Sequence, residues 1–172
     1  MQPNKPVVLV VDDDPVNLDI LVQTLEQDYF LIIAKNGKRA LDLAFSHHPD
    51  LILLDILMPE MDGFEVCQRL KADKETEGIP VIFLSAKCDI VDKSIGFRAG
   101  GDDYVTKPFD STELLLRIEA NIRRHKDTID LARCRNREGV ARIGELEVRF
   151  GEYEVRVKGR PVALTTKEFE IV

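Results

Sequence analysis

The chain has 172 residues, of which 44% are hydrophobic and 32% are charged, and its net charge is −7; this length accommodates one ordinary domain and a smaller unit. It holds no apolar run of the roughly 20 residues that cross a bilayer, no signal-peptide pattern at its start, and no CxxC spacing among its three cysteines. These features exclude a membrane-spanning or disulfide-rich protein, and we expect a cytoplasmic protein with no membrane partner.

The charge is distributed unevenly along the chain. Residues 1–120 carry 12 basic and 22 acidic side chains, whereas residues 121–172 carry 12 basic and 9 acidic ones. This change predicts a boundary near residue 121. The acidic first part would repel nucleic acid, so we do not expect it to bind DNA.

The first 120 residues alternate short apolar runs with amphipathic stretches. Continuous aliphatic runs are typical of parallel strands that are buried on both faces. The stretches between them repeat apolar residues at helical spacing, and the first helix has Asp14 as its N-cap and Pro15 at its first position. Five strands alternating with five helices predict an open, doubly wound α/β domain. The predicted strands are residues 7–11, 30–34, 51–54, 81–84 and 104–106.

The pattern changes after residue 124. Residues 125–140 are charged and lack a sustained apolar face, which indicates a linker or a continuation of the last helix. From residue 141 the apolar period is two, with turn signals at 151–152 and 158–159, so a small antiparallel β meander is predicted. Thr165 and Glu168 have the spacing of a capping box, which predicts the start of a further helix.

Polar side chains follow four of the five predicted strands. Asp12 and Asp13 follow the first, Asp55 the third, Ser85 the fourth and Lys107 the fifth. Because ligands of open α/β sheets bind outside the carboxyl ends of the strands, we expect these side chains to share one site. Each alone has an ordinary interpretation as a helix cap, a turn residue or a solvated loop residue, but together they exceed what capping requires.

The combination of residue types indicates phosphoryl transfer. Three converging carboxylates would repel one another unless a cation joins them, and a hard, oxygen-ligated ion such as Mg²⁺ meets that need. Lys107 would supply a second positive charge for a phosphoryl oxygen, and Ser85 a hydroxyl donor. A carboxylate nucleophile with these partners is suited to in-line phosphoryl transfer.

Four segments of residues 5–124 resemble the two-component receiver domain. They are VLVVDDDP at 8–15, PDLILLDILMPEMDGF at 49–64, IPVIFLSA at 79–86 and GGDDYVTKPF at 100–109. The resemblance implies a flavodoxin-like fold with strand order 2-1-3-4-5. It also implies that Asp55 accepts a phosphoryl group from the phosphohistidine of a sensor histidine kinase.

The same resemblance implies a metal site and a switch. Asp12, Asp13, Asp55 and the backbone carbonyl of Leu57 would hold Mg²⁺, with Mn²⁺ as the alternative ion. Lys107 would pair with the phosphoryl group, and the Lys107–Pro108 peptide would be cis.

Two further side chains would report the phosphoryl group to the rest of the receiver. Ser85 would move onto a phosphoryl oxygen, and Tyr104 would turn inward as Ser85 vacates its space. The change of charge at the site would thereby cause a change of conformation.

Residues 141–172 resemble, less specifically, the opening sheet of an OmpR/PhoB-type winged-helix effector domain. We interpret them as the N-terminal β-sheet and the start of the first helix of a truncated effector domain, with residues 125–140 as the linker. The resemblance implies that DNA is bound only by the intact effector domain.

The receiver resemblance also implies a homodimer through the fourth helix, the fifth strand and the fifth helix. Ile95 stands where such regulators often carry arginine, which is a departure from that pattern. The charged residues expected on this face are Lys93, Arg98, Asp102, Asp103, Glu113 and Arg117.

The leading hypothesis is a response regulator of a two-component phosphorelay whose output is transcription. The alternative is an interaction protein whose shortened tail serves docking and never binds DNA. We expect a signalling switch and not a turnover enzyme. An aspartyl-phosphate phosphatase would need an acid where Leu57 stands, and neither GxGxxG nor GxxxxGK[ST] occurs.

Overall fold

The computed structural model describes residues 5–86, 99–137, 140–144, 146–149, 154–157 and 160–162. The chain divides into two compact units, Met1–Ile122 and Arg123–Val172. No helix among these residues is long and apolar enough to cross a membrane.

The first unit contains a parallel sheet of five strands in the order β2-β1-β3-β4-β5. This arrangement confirms the predicted flavodoxin-like fold and its strand order. Every residue of β3 and β4 is buried, as expected for aliphatic strands covered on both faces. The strands are β1 (Val7–Val11), β2 (Phe30–Ala34), β3 (Leu51–Asp55), β4 (Val81–Ser85) and β5 (Asp103–Thr106).

Four helices lie among the described residues. The α1 helix begins as predicted, because the Asp14 side chain accepts a hydrogen bond from the Val16 N–H at 2.8 Å. The predicted helix between the fourth and fifth strands falls on residues 87–98, which lie outside the described part of the chain. The helices are α1 (Pro15–Leu25), α2 (Gly37–His47), α3 (Gly63–Ala72) and α4 (Ser111–Arg137), the last being the fifth predicted helix.

Two hydrophobic cores lie on the opposite faces of the parallel sheet. Successive side chains of β3 alternate between them: Ile52 and Leu54 pack with residues of α2 and α3, whereas Leu51 and Leu53 pack with residues of α1 and α4. Because both faces of the central strands are filled with aliphatic side chains, polar residues are confined to the strand ends. The polar side chains of β3 and β4 therefore lie at the carboxyl ends of these strands, at Asp55 and Ser85.

The described part of the second unit is an antiparallel sheet in the order β6-β7-β8-β9. Apolar residues lie opposite each other across β7 and β8, where Val148 pairs with Val155 and Leu146 with Val157. The predicted turns and the helix expected from Thr165 lie outside the described residues. The strands are β6 (Val140–Ile143), β7 (Leu146–Arg149), β8 (Glu154–Val157) and β9 (Arg160–Val162).

Candidate functional site

The parallel pairing of β1, β3, β4 and β5 brings the predicted polar residues to one edge of the sheet. Asp55 is the last residue of β3 and Ser85 the last residue of β4. The ladder continues past the strand ends, because the Lys107 N–H donates to the Ser85 carbonyl at 2.6 Å. The backbone thus sets Lys107 beside the carboxyl ends of the central strands.

Lys107 bridges two buried carboxylates. Its ammonium group donates to Asp12 Oδ2 at 2.6 Å and to Asp55 Oδ1 at 2.5 Å. The side chains of Asp12, Asp55 and Lys107 are only 1%, 8% and 16% exposed. Buried charges need partners, and here one cation serves two anions, so this cluster retains a net negative charge.

Asp13 adds a third carboxylate to the cluster. Asp12, Asp13 and Asp55 each offer one oxygen, and these oxygens all lie within 4.8 Å of one another. Oxygen donors and an excess of negative charge are what a hard divalent cation such as Mg²⁺ requires. The donor set therefore fits the predicted metal. Leu57 lies two residues after Asp55 with its side chain 60% exposed, and its role as a carbonyl ligand stays a prediction.

The protonation states follow from burial and from the shared cation. Burial raises the pKa of Asp55, and the Lys107 ammonium opposes this rise while Asp12 and Asp13 add to it. Burial lowers the pKa of Lys107, but its hydrogen bonds to Asp12 and Asp55 outweigh that effect, so the pKa of Lys107 is raised. Lys107 consequently remains charged at neutral pH and offers a fixed positive charge beside Asp55.

The orientation of Asp12 depends on Asn17, a residue outside the predicted site. Asp12 Oδ1 accepts hydrogen bonds from the Asp14 N–H at 2.9 Å and from Asn17 Nδ2 at 3.1 Å. Asn17 lies on the first turn of α1, so its spacing from Asp12 is the signal that could have identified it. These two donors leave Asp12 Oδ2 directed at Lys107.

Gly63 is a second residue whose role the sequence did not reveal. Its N–H donates to the Ile56 carbonyl at 2.9 Å. A Cβ atom at this position would lie 2.3 Å from the backbone oxygen of Asp55. Only glycine therefore lets the start of α3 approach the end of β3 this closely.

Comparison with known proteins identifies the family. Residues 8–119, more than half of the chain, match the family described as "Response regulator receiver domain". The chain belongs to the response regulator receiver family. The whole chain is 39% identical over 168 residues to the "DNA-binding dual master transcriptional regulator RpaA" of Synechocystis sp. PCC 6803, a match that covers 97% of this chain and 68% of that protein.

Solved structures support the same family. The response regulator DrrB of Thermotoga maritima, described as an OmpR/PhoB homologue, is 29% identical with a TM-score of 0.62, over 97% of this chain and 70% of DrrB. The receiver domain of the sensor histidine kinase PA1611 of Pseudomonas aeruginosa is 28% identical with a TM-score of 0.65, over 69% of this chain and 98% of that domain. That structure contains magnesium coordinated in its active-site cleft.

Ser85 and Tyr104 lie in neighbouring strands of the receiver. Ser85 is 3% exposed and Tyr104 is 8% exposed. Tyr104 is the register partner of Phe83 and belongs to the hydrophobic core on the α2 and α3 side of the sheet. The Lys107–Pro108 peptide is cis, as the resemblance implied.

Four of the charged residues expected on the dimer face of the receiver form ion pairs within the chain. Asp102 accepts from Lys71 at 3.2 Å. Arg117 donates to both carboxylate oxygens of Asp103 at 3.0 Å and is also 2.8 Å from Glu113. The other two, Lys93 and Arg98, lie outside the described residues.

A groove borders the carboxylate cluster of the receiver. Its volume is about 320 Å³, and it is lined by Asn17, Ile20, Lys107, Pro108 and Phe109. Ile20 on α1 is 48% exposed. The groove thus joins an apolar surface to the cation that contacts Asp55.

Proposed function

We propose that this receiver accepts a phosphoryl group on Asp55 from the phosphohistidine of a sensor histidine kinase. The observation that carries the proposal is the Lys107 ammonium group, which holds Asp12 and Asp55 together at the carboxyl ends of the strands. In this reaction a bond forms between an Asp55 oxygen and phosphorus, and the phosphorus–nitrogen bond of the phosphohistidine breaks. The histidine takes up the leaving electron pair.

The carboxylates support the reaction by their positions. Asp55 Oδ1 accepts from Lys107, and in the described part of the chain no donor reaches Oδ2, which leaves that oxygen for attack on phosphorus. Asn17 holds Asp12, and Asp12 in turn helps to fix Lys107, whose charge would stabilise the equatorial oxygens of the transferring group.

Mg²⁺ is the metal that we propose for this site. Asp12, Asp13 and Asp55 would hold it, with the Leu57 carbonyl completing the protein ligands and Mn²⁺ as the alternative ion. When bound, the ion supplies positive charge against the phosphoryl oxygens. The magnesium in the PA1611 receiver supports this assignment.

The groove beside Lys107 supports docking of the kinase at this edge of the sheet. A partner that delivers a phosphoryl group must reach Asp55 from outside the carboxyl ends of the strands. Val16 and Ile20, which are 62% and 48% exposed on α1, offer apolar contact on that side. Ser85 and Tyr104 would then convert the modification into a change of conformation.

The output that we propose is DNA-binding transcription regulation by the whole protein. RpaA, to which 97% of this chain aligns, is a DNA-binding transcriptional regulator. A homodimer through the fourth predicted helix, β5 and α4 would be the phosphorylated form. In that dimer, Arg117 would exchange its present partner Asp103 for an acid of the second copy.

Phosphorylation of the purified chain by acetyl phosphate with Mg²⁺ tests the acceptor. Intact mass should show one hydroxylamine-labile phosphate, absent in Asp55→Asn and present in the matched control Asp42→Asn, which alters an exposed acid on α2. Chelation of Mg²⁺ should abolish the adduct. Lys107→Ala should slow its formation by about 100-fold, because a charge aimed at the phosphoryl oxygens is lost. An adduct that persists in Asp55→Asn would refute the assignment.

A further inference from the structure

The outer edge of β2 is an apolar strand edge with no charge along its length. The strand reads FLIIA, and Phe30 and Ile33 are 61% and 41% exposed. In the part of the chain that the structure describes, β2 pairs only with β1. Proteins commonly protect such edges with a charged residue or a proline within the strand, and β2 contains neither.

The hydrogen bonds of β2 show which backbone groups face outward. The Phe30 N–H donates to the Pro6 carbonyl at 2.9 Å, and the Ala34 carbonyl accepts from the Asp12 N–H at 3.2 Å, both on the β1 side. Because backbone groups of successive strand residues point to opposite sides, those of Leu31 and Ile33 point to the open edge. This edge therefore presents two N–H and two C=O groups.

The flanks of β2 carry opposite charges. Glu26 and Asp28 precede the strand, and Lys35 and Lys38 follow it, and all four are exposed. Two copies paired in parallel would place like charges together. Two copies paired antiparallel would place the acidic flank of each beside the basic flank of the other, in a two-fold symmetric contact.

We propose that β2 is a homodimer interface, in which the strands of two copies pair antiparallel about Ile32 and join the two five-stranded sheets into one. In this register Leu31 of each copy lies opposite Ile33 of the second copy, and their outward groups form four hydrogen bonds. Phe30 lies opposite Ala34, whose small side chain leaves room for the aromatic ring. The contact uses β2, which lies at the opposite edge of the sheet from β5, so it is distinct from a dimer face formed by the fourth predicted helix, β5 and α4.

Sedimentation equilibrium of the full chain, without phosphodonor, tests the contact at concentrations up to about 1 mM. We expect a monomer–dimer equilibrium that Ile33→Lys weakens by at least about tenfold, because two like charges would enter the paired strands. Leu116→Lys, which alters a residue of α4 that is 61% exposed, is the matched control and should leave the dimer unchanged. A chain that stays monomeric throughout, or a dimer lost only in Leu116→Lys, would overturn the proposal.

Charge reversal distinguishes the antiparallel contact from a misfolded variant. One double variant, Lys35→Glu with Lys38→Glu, has two acidic flanks; the other, Glu26→Lys with Asp28→Lys, has two basic flanks. Each alone should dimerise at least about tenfold more weakly than the wild type, and an equimolar mixture should recover the dimer. A mixture that associates no better than its components contradicts this arrangement.

Amide hydrogen exchange supplies an internal control for the strand register. The Leu31 and Ile33 amides should become protected as protein concentration rises, because they bond only to the second copy. The Phe30 and Ile32 amides, which face β1, should be protected at every concentration. Concentration-independent exchange at Leu31 and Ile33 in a sample that dimerises would place the interface elsewhere and overturn the proposal.

Discussion

The parallel sheet of the receiver and the antiparallel sheet of the second unit use apolar residues in different ways. All residues of β3 and β4 are buried. In β8, by contrast, Val155 is 4% exposed and Val157 is 41% exposed. A strand covered on both faces has room for polar side chains only at its ends, which is where the carboxylate cluster lies. The position of the proposed phosphoryl-transfer site therefore follows from the complete burial of the central strands.

Truncation of one apolar strand residue in each sheet should give the largest difference in stability between the two regions. Leu53→Ala in β3 is expected to lower the free energy of unfolding of the receiver by about 2–5 kcal/mol, because it leaves a cavity between fully buried neighbours. Val157→Ala in β8 should change stability by less than about 0.5 kcal/mol, because Val157 is half exposed. Urea denaturation combined with residue-resolved hydrogen exchange measures each. Equal losses would contradict the contrast in burial.

The two units also need glycine for different reasons, and alanine substitution tests this difference. Gly63→Ala should cost about 3 kcal/mol, because its Cβ would lie 2.3 Å from the Asp55 carbonyl oxygen. The Cβ atom of Gly144→Ala would meet no described residue within 4 Å, but the φ of 59° is left-handed, so a loss of about 1 kcal/mol is expected. Gly144→Asn should recover part of that loss. Thermal unfolding followed in each unit gives the values, and a mild effect of Gly63→Ala would exclude the close approach.

High pH should weaken the receiver through one buried thiol. Burial raises the pKa of Cys67 from 9.0 to about 11. The thiol stabilises the fold fully below pH 9, and this contribution falls as pH rises through 11, by about 2 kcal/mol at pH 11. Urea denaturation of the wild type and of Cys67→Ala at pH 8 and pH 11 measures the difference. If the wild type is as much more stable than Cys67→Ala at pH 11 as it is at pH 8, ionisation of the Cys67 thiol does not cause the loss of stability.

A smaller effect on the stability of the receiver is expected in the loop that joins the site to α1. Asp14→Ala should destabilise the receiver by about 1 kcal/mol, because the cap on the Val16 N–H is lost. Phosphate uptake should persist, since the Asp14 group that contacts Asp12 is its backbone N–H. Asp19→Ala, an exposed acid on the same helix, is the control and should leave stability unchanged. Loss of uptake in Asp14→Ala would assign its side chain to the site.

Much of the receiver was predictable because its signals are local. The aliphatic runs predicted β1 and β2 with their observed bounds, and β3 and β4 to within one residue. Strand-end positions predicted the convergence of Asp12, Asp55 and Lys107. The local signals do not predict the contributions of Asn17 and Gly63. Asn17 reaches Asp12 only because the first turn of α1 folds back towards the site. Gly63 is needed only because the start of α3 lies close to the backbone at the end of β3.

The sequence by itself determined the strand and helix types and the polar residues at the strand ends, because periodicity and residue type act over a few neighbours. Tertiary structure alone decided that one Lys107 ammonium group contacts both Asp12 and Asp55. It also decided that Phe30 and Ile33 are exposed on β2, the strand that the implied order 2-1-3-4-5 had already placed at the edge. Both depend on the order in which distant strands pair, and that order is set by packing of the whole sheet.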